Sequence, residues 1–225
     1  DSAQVASLST LQVSSLTDGQ VAGLSATQVK AIETADVAAM TSTQLQSISG
    51  AAVAQLSTAQ VAALTTDQID KLTTAQVTSL TTAQVKALSS DQVSKLTTAQ
   101  VKALSGVQVA ALDAGDLAGL SVAKVQAFTT AAVAAMTTAQ VAALDTAQAA
   151  GLTTAQVRAL TTTQVAALTT TQAEKLGTAQ LAALTSSQVK ALETADLAKL
   201  DTAQLRAITT AAIGGLDSAQ VASLS

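Results

Sequence analysis

The side chains best able to do chemistry are three acidic pairs spaced three residues apart: Glu33 with Asp36, Asp113 with Asp116, and Glu193 with Asp196. Each pair follows the previous one by 80 residues. Carboxylates at this spacing share one helix face. Their oxygens could ligate Ca²⁺, which takes roughly six to eight such ligands. Two carboxylates per site fall well short of that, and no Asp/Gly-rich loop accompanies them. The plainer reading is acids capping the positive end of a helix. Repeated Thr-Thr dipeptides offer a second surface, a hydroxyl array that could lie against ice or a polysaccharide, although capping would consume the first Thr of each pair. Nucleophilic catalysis has no base to draw on, because His and Cys are absent and no Lys recurs beside a particular Ser. The chain is therefore read as non-enzymatic, with no cofactor.

Composition narrows the classes further. The net charge of −4 is thinly spread over 225 residues, and Phe128 is the only aromatic. With neither a basic patch nor stacking rings, nucleic acid is not an expected partner. No apolar run reaches the roughly 20 residues of a membrane span. Lys30, Lys86, Lys102, Arg158 and Arg206 are expected on a solvated face. The chain opens at Asp1 rather than Met, which reads as a processed form or an excerpt.

The elements that position these residues follow from an eight-residue period. Cut from Asp1, the chain is 28 octads without insertion or deletion, plus Ser225, and T-T-A-Q-V-A-A-L at Thr137 to Leu144 is the type octad. The first position is Ser, Thr or Asp in 25 octads, and the fourth is Gln in 21. Ser/Thr-x-x-Gln is a capping box: the hydroxyl accepts from the backbone N–H three residues on, and the Gln reaches back to the cap's own N–H. The fifth position is always aliphatic and the eighth is Leu, Ile, Met or Phe. The eighth residue of one octad and the fifth of the next form a hydrophobic staple across the cap, as with Leu152 and Val157. The staple weakens where the fifth residue is only Ala, as at Ala149. Ala at the third and seventh positions is expected to let successive coils approach.

The predicted fold is an all-α solenoid of about 28 very short capped helices, one per octapeptide. In one unbroken helix the Val/Leu stripe would advance about 80° per octad and face no single partner. A β-solenoid is the alternative, but it calls for period-2 alternation, which A-Q-V-A-A-L lacks. Residues 1–225 read as one array, since a lone octad buries too little to order itself and needs its neighbours.

Departures from the octad cluster in blocks 25–56, 105–136 and 185–216, which sets a higher period of 80. Gln at the fourth position gives way to Asp36, Ala52, Asp116, Lys124, Ala132, Asp196 and Ala212. Phe128 stands where Ile48 and Ile208 stand in the other blocks, and should fill core space. Duplication of an 80-residue unit accounts for the period. A shared lateral contact, made by these residues if ten octads close a whole number of superhelical turns, is the functional alternative.

The tiled string L-T-T-A-Q-V-A-A-L resembles the low-complexity repeat regions of very large secreted bacterial surface proteins and adhesins. That resemblance implies an extracellular stalk or filament component exported without a cleaved N-terminal signal. Locally, L-T-x-x-Q-V-x-x-L is similar to the helix opening of transcription-activator-like effector repeats. It lacks their base-reading loop and their longer period, so it supports helix initiation and not DNA binding. The expected function is structural, a segment of an extracellular filament or adhesin stalk. The alternative is a binding solenoid that holds a protein, glycan or ice surface through the 80-residue blocks or the Thr ladder. Asp1–Ser9 and Asp217–Ser225 are the same nonapeptide, which favours an excerpt of a longer array or self-association, end to end or laterally.

Overall fold

The computed structural model describes residues 1–224. Those residues hold 28 helices of four to six residues, from α1 (Ser2–Ala6) to α28 (Ser218–Ala222), one per octad, and no strand. The all-α solenoid expected from the octad is the fold observed. Local chemistry explains each start. In α18 (Thr138–Ala143) the Thr137 hydroxyl accepts from the Gln140 N–H and the Gln140 carboxamide accepts from the Thr137 N–H. Each helix stops because the next cap is already extended. After α13 (Thr98–Ala103), Leu104 adopts φ −61° and ψ 131°, and Ser105 adopts φ −72° and ψ 161°. Two extended residues thus redirect the chain between helices, and among the described residues none has a positive φ.

The array divides into two compact units, Asp1–Leu112 and Asp113–Ser225. Within the first, α4 (Ala26–Lys30) packs on α7 (Gly50–Val53), α7 on α10 (Thr74–Ser79), and α10 on α13. Within the second, α17 (Thr130–Ala135) packs on α20 (Thr154–Ala159), α20 on α23 (Thr178–Ala183), and α23 on α26 (Thr202–Ala207). Within these runs each helix therefore meets the one three octads along.

The fifth and eighth positions form the core, as with Val141, Leu144, Val157 and Leu160, and Phe128 is buried there, as are Ile48 and Ile208 at the same position in their own blocks. The fourth position is also interior: Gln76, Gln140 and Gln156 are each about 2% exposed. Of the two Ala positions, the third is exposed, as Ala139 and Ala155 are, so only the seventh lies against a neighbouring coil. The helix presents its third position outward because the fourth, fifth and eighth claim the inner face.

The seventh position meets the second position of the octad three away, and two glycines show how tightly. A Cβ on Gly151 would overlap Val122, and one on Gly215 would overlap the Ser186 hydroxyl and come within 2.8 Å of the Ser186 carbonyl. Val122 is a bulky second residue that a Gly at the seventh accommodates. Gly151→Ala should therefore destabilise the second unit by about 1–3 kcal/mol through overpacking. Val122→Ala in the same chain should restore most of that loss, and a double-mutant cycle by denaturant unfolding reads the coupling. Additive losses would show that the two side chains do not meet.

Candidate functional site in an interrupted glutamine ladder

Each Gln at the fourth position works in two directions. The Gln156 carboxamide oxygen accepts from the Thr153 N–H at 2.9 Å, which closes the capping box. Its Nε2 donates to the carbonyls of Val125 at 3.0 Å and Phe128 at 2.9 Å, four octads earlier. Gln76 does the same with Thr73 at 2.9 Å, Leu45 at 2.7 Å and Ile48 at 2.9 Å. Eight glutamines bridge coils in this way within the first unit. Eight more do so within the second.

The bonds run back 31 and 28 residues, or 30 and 28 at Gln204 and Gln220. Helix contacts lie three octads apart and carboxamide bonds four, so each coil turns in between three and four octads. The arrangement repeats, one level up, the logic of an α-helix, in which each N–H reaches back four residues. Burial of a polar carboxamide is tolerable because every one of its hydrogen-bonding groups is satisfied. The local half of this role follows from Ser/Thr-x-x-Gln spacing. The long-range half does not. Its only sequence signal is that Gln recurs more strictly than capping alone requires.

The seven residues that replace Gln share its buried setting to different degrees. Asp36, Asp116 and Asp196 are buried, as are Ala52, Ala132 and Ala212, whereas Lys124 is half-buried. Their cap partners Glu33, Asp113 and Glu193 are exposed and sit at the N-cap, yet none makes a side-chain cap hydrogen bond. The expectation that these first-position acids cap their helices is therefore corrected. Glu is not a favoured N-cap residue, and Asp113 is followed three residues on by Asp116 in place of the Gln that completes the capping box. Asp1, Asp145, Asp201 and Asp217 do cap, each followed by Gln at the fourth position. Ser121, followed by Lys124, also lacks its cap bond. Among the described residues no three His, Cys, Asp or Glu side chains gather into one cluster.

The hydroxyl ladder is partly engaged. The first Thr of an octad accepts from the Gln backbone N–H, and some also meet the third residue, as Thr161 meets Thr163 at 2.9 Å. Lys30, Lys86, Lys102, Arg158 and Arg206 are exposed, as expected.

Asp196 is the most strained substitution electrostatically. It is 1% exposed and neither carboxylate oxygen has a hydrogen-bond partner. Burial pushes its pKa above the usual carboxylate value, and the Glu193 carboxylate adds to this. The nearby Thr170 hydroxyl and the Glu193 backbone offset part of the rise. Where Gln would offer an NH₂ to the carbonyls of Val165 and Leu168, 31 and 28 residues back, Asp196 offers only oxygen.

A cavity of about 250 Å³ lies at the edge of the third block. It is lined by Arg158, by Ala182 to Ser186 at the junction of α23 and α24 (Ser186–Ala191), and by Thr209, Ala211 and Ala212 at the start of α27 (Thr210–Ile213). It opens where Ala212 stands in place of Gln.

Octads wound into coils by their own capping residues define a helical repeat protein. The chain belongs to the ALTTAQ repeat family, which matches residues 29–66, 53–82, 69–106, 109–146, 141–178 and 189–225. The six letters span the seventh position of one octad to the fourth of the next, as in A-L-T-T-T-Q at Ala159–Gln164. They therefore carry the coil contact, the staple, the cap and the bridging Gln together. No curated protein matches the chain.

Proposed function

We propose that this chain is a non-catalytic structural element, a segment of an extracellular filament or adhesin stalk whose span is set by the number of octads. The observation that carries this reading is the open register of the glutamine ladder. Every bridging Gln uses one coil as a template for the next, through one carbonyl 28 residues back and another 30 or 31 back, and nothing in the pattern closes it. The carboxamide NH₂ groups of Gln12, Gln20 and Gln28 have no acceptor among the described residues, although their oxygens close local capping boxes. Val221, at a fifth position that is buried in most other octads, is an exposed apolar residue at 56%. A further coil would satisfy both kinds of group, whichever chain supplies it, and would add stability by the nearest-neighbour logic of repeat arrays. The resemblance to secreted surface-protein repeats supports the extracellular setting.

Electron microscopy of the purified chain tests this directly. Uniform filaments that lengthen with protein concentration are expected. Separate particles of constant length at high concentration would remove the self-associating role.

A further inference from the structure

We propose that the cavity beside Ala212 binds a small primary carboxamide, with preference for one that also carries an anionic group. The rest of the molecule shows what chemistry the space is shaped for. In the bridged octads a Gln carboxamide takes the cap N–H on its oxygen and gives its NH₂ to carbonyls 31 or 30 and 28 residues back. At the 212 position those same groups are the Thr209 N–H and the carbonyls of Leu181, Ala182 and Leu184.

Among the described residues the Thr209 N–H and the Leu184 carbonyl have no partner, and the Leu181 carbonyl accepts only from the Leu184 N–H at 3.2 Å. One donor and a set of acceptors thus remain in the arrangement that a carboxamide fills elsewhere in this chain. Ala182, Leu184, Thr209 and Ala212 all line the cavity. Its volume of about 250 Å³ lies below the roughly 300–1,000 Å³ of pockets for drug-sized ligands, which limits the occupant to a few heavy atoms.

Arg158 sets the second preference. Its side chain is exposed at the cavity wall and forms no ion pair among the described residues, where the ion pairs are Lys71–Asp70 and Lys175–Glu174. A carboxylate on the ligand would meet this guanidinium while the amide end reaches the coil gap. This site is independent of the stalk role, because it needs neither self-association nor an extracellular setting.

Titration of the whole chain with propionamide, followed by the Thr209 amide resonance, tests the proposal. Saturable shifts with a dissociation constant on the order of millimolar are expected for so small a ligand. N,N-dimethylpropionamide, which has no N–H to give, should bind about tenfold more weakly or worse. Succinamate, an amide with a carboxylate, should bind more tightly than propionamide, and Arg158→Ala should erase that difference while leaving propionamide binding in place.

Ala212→Gln supplies the carboxamide from the chain itself. It should abolish propionamide binding and raise the melting temperature. Because Gln is the residue found in most other octads, this variant should fold. A linear response up to about 100 mM, equal binding of the dimethyl amide, or undiminished binding to Ala212→Gln would overturn the carboxamide site. Equal affinity for succinamate and propionamide in the unaltered chain would overturn the anionic preference.

Discussion

Gln156→Ala should destabilise the second unit by about 3 kcal/mol, a large effect for removing one side chain of moderate size. The substitution removes the acceptor for the Thr153 N–H and the donor shared by the Val125, Gln126 and Phe128 carbonyls. Each buried group left unsatisfied costs about 1–3 kcal/mol, against the roughly 0.5–1.5 kcal/mol of an ordinary hydrogen bond. Partial access of water at the cap lowers the sum.

Gln12→Ala is the matched control. Gln12 closes the same local capping box with Ser9 at 2.8 Å, but its NH₂ reaches no earlier coil among the described residues. Its loss should therefore cost only the roughly 0.5–1 kcal/mol of a cap. Gln156→Glu completes the series. It keeps the size and one acceptor oxygen, yet turns a second oxygen toward the carbonyls, so at neutral pH it should cost at least as much as Ala.

Hydrogen exchange is the preferred measurement, because an array of repeats need not unfold in one step. Lost protection should appear in octad 20 and in the coil four octads earlier, around Val125 to Phe128. Equal losses for Gln156→Ala and Gln12→Ala would show that the carboxamide acts only as a cap.

Asp196→Gln should have the opposite sign, stabilising the second unit by about 2–4 kcal/mol at neutral pH. The variant removes a buried, unpartnered carboxylate. In its place the new side chain offers an oxygen to the Glu193 N–H and an NH₂ to the Val165 and Leu168 carbonyls. The helix packed against Asp196, α22 (Thr170–Glu174), presents Thr170 and carries Glu174, which is paired with Lys175 at 3.1 Å. The charge that acts on Asp196 is Glu193 on its own cap; Lys199 stands later in the same octad, and Asp217 caps α28 (Ser218–Ala222), which also packs on the helix of Asp196.

The gain should depend on pH. Because the folded-state pKa of Asp196 is raised, the folded chain holds this proton more tightly than the unfolded chain does. Stability from this group is fully present below the unfolded carboxylate value of about 3.9. It falls as pH rises from there and levels off above the raised folded value. The advantage of Asp196→Gln over the parent chain should therefore be smallest near pH 4 and grow toward pH 7. A protonated Asp196 also has an O–H to give to a carbonyl, which narrows the gap further at low pH. Thermal unfolding of both chains across this range checks the sign, and a difference independent of pH would mean that Asp196 is not the titrating group.

Much of this fold is written in local spacing. Ser or Thr followed three residues later by Gln specifies a helix start. The aliphatic residues at the fifth and eighth positions specify the buried stripe, and the next cap eight residues on specifies the stop. All of these act within one octad or across one junction, over distances the covalent chain itself sets. The 28 helices and the burial of Val, Leu and Phe128 were legible for that reason.

What a Gln, Asp or Ala means at the fourth position was decided only by tertiary structure. The second partner of Gln156 lies 31 residues away, and that register is the accumulated result of every turn between helices. Small differences in backbone angle add over four octads, and no pairwise spacing rule reports their sum. Sequence placed Glu193 and Asp196 together in a first turn, where acids ordinarily face solvent. The winding separates them, leaving Glu193 exposed and Asp196 interior against another coil. Ala212 reads in the sequence as a departure from the fourth-position Gln that could join a lateral contact, and it lines a gap where other octads hold a carboxamide. The octad determines how each helix begins and ends, while the superhelical turn determines which carbonyls stand opposite its fourth residue.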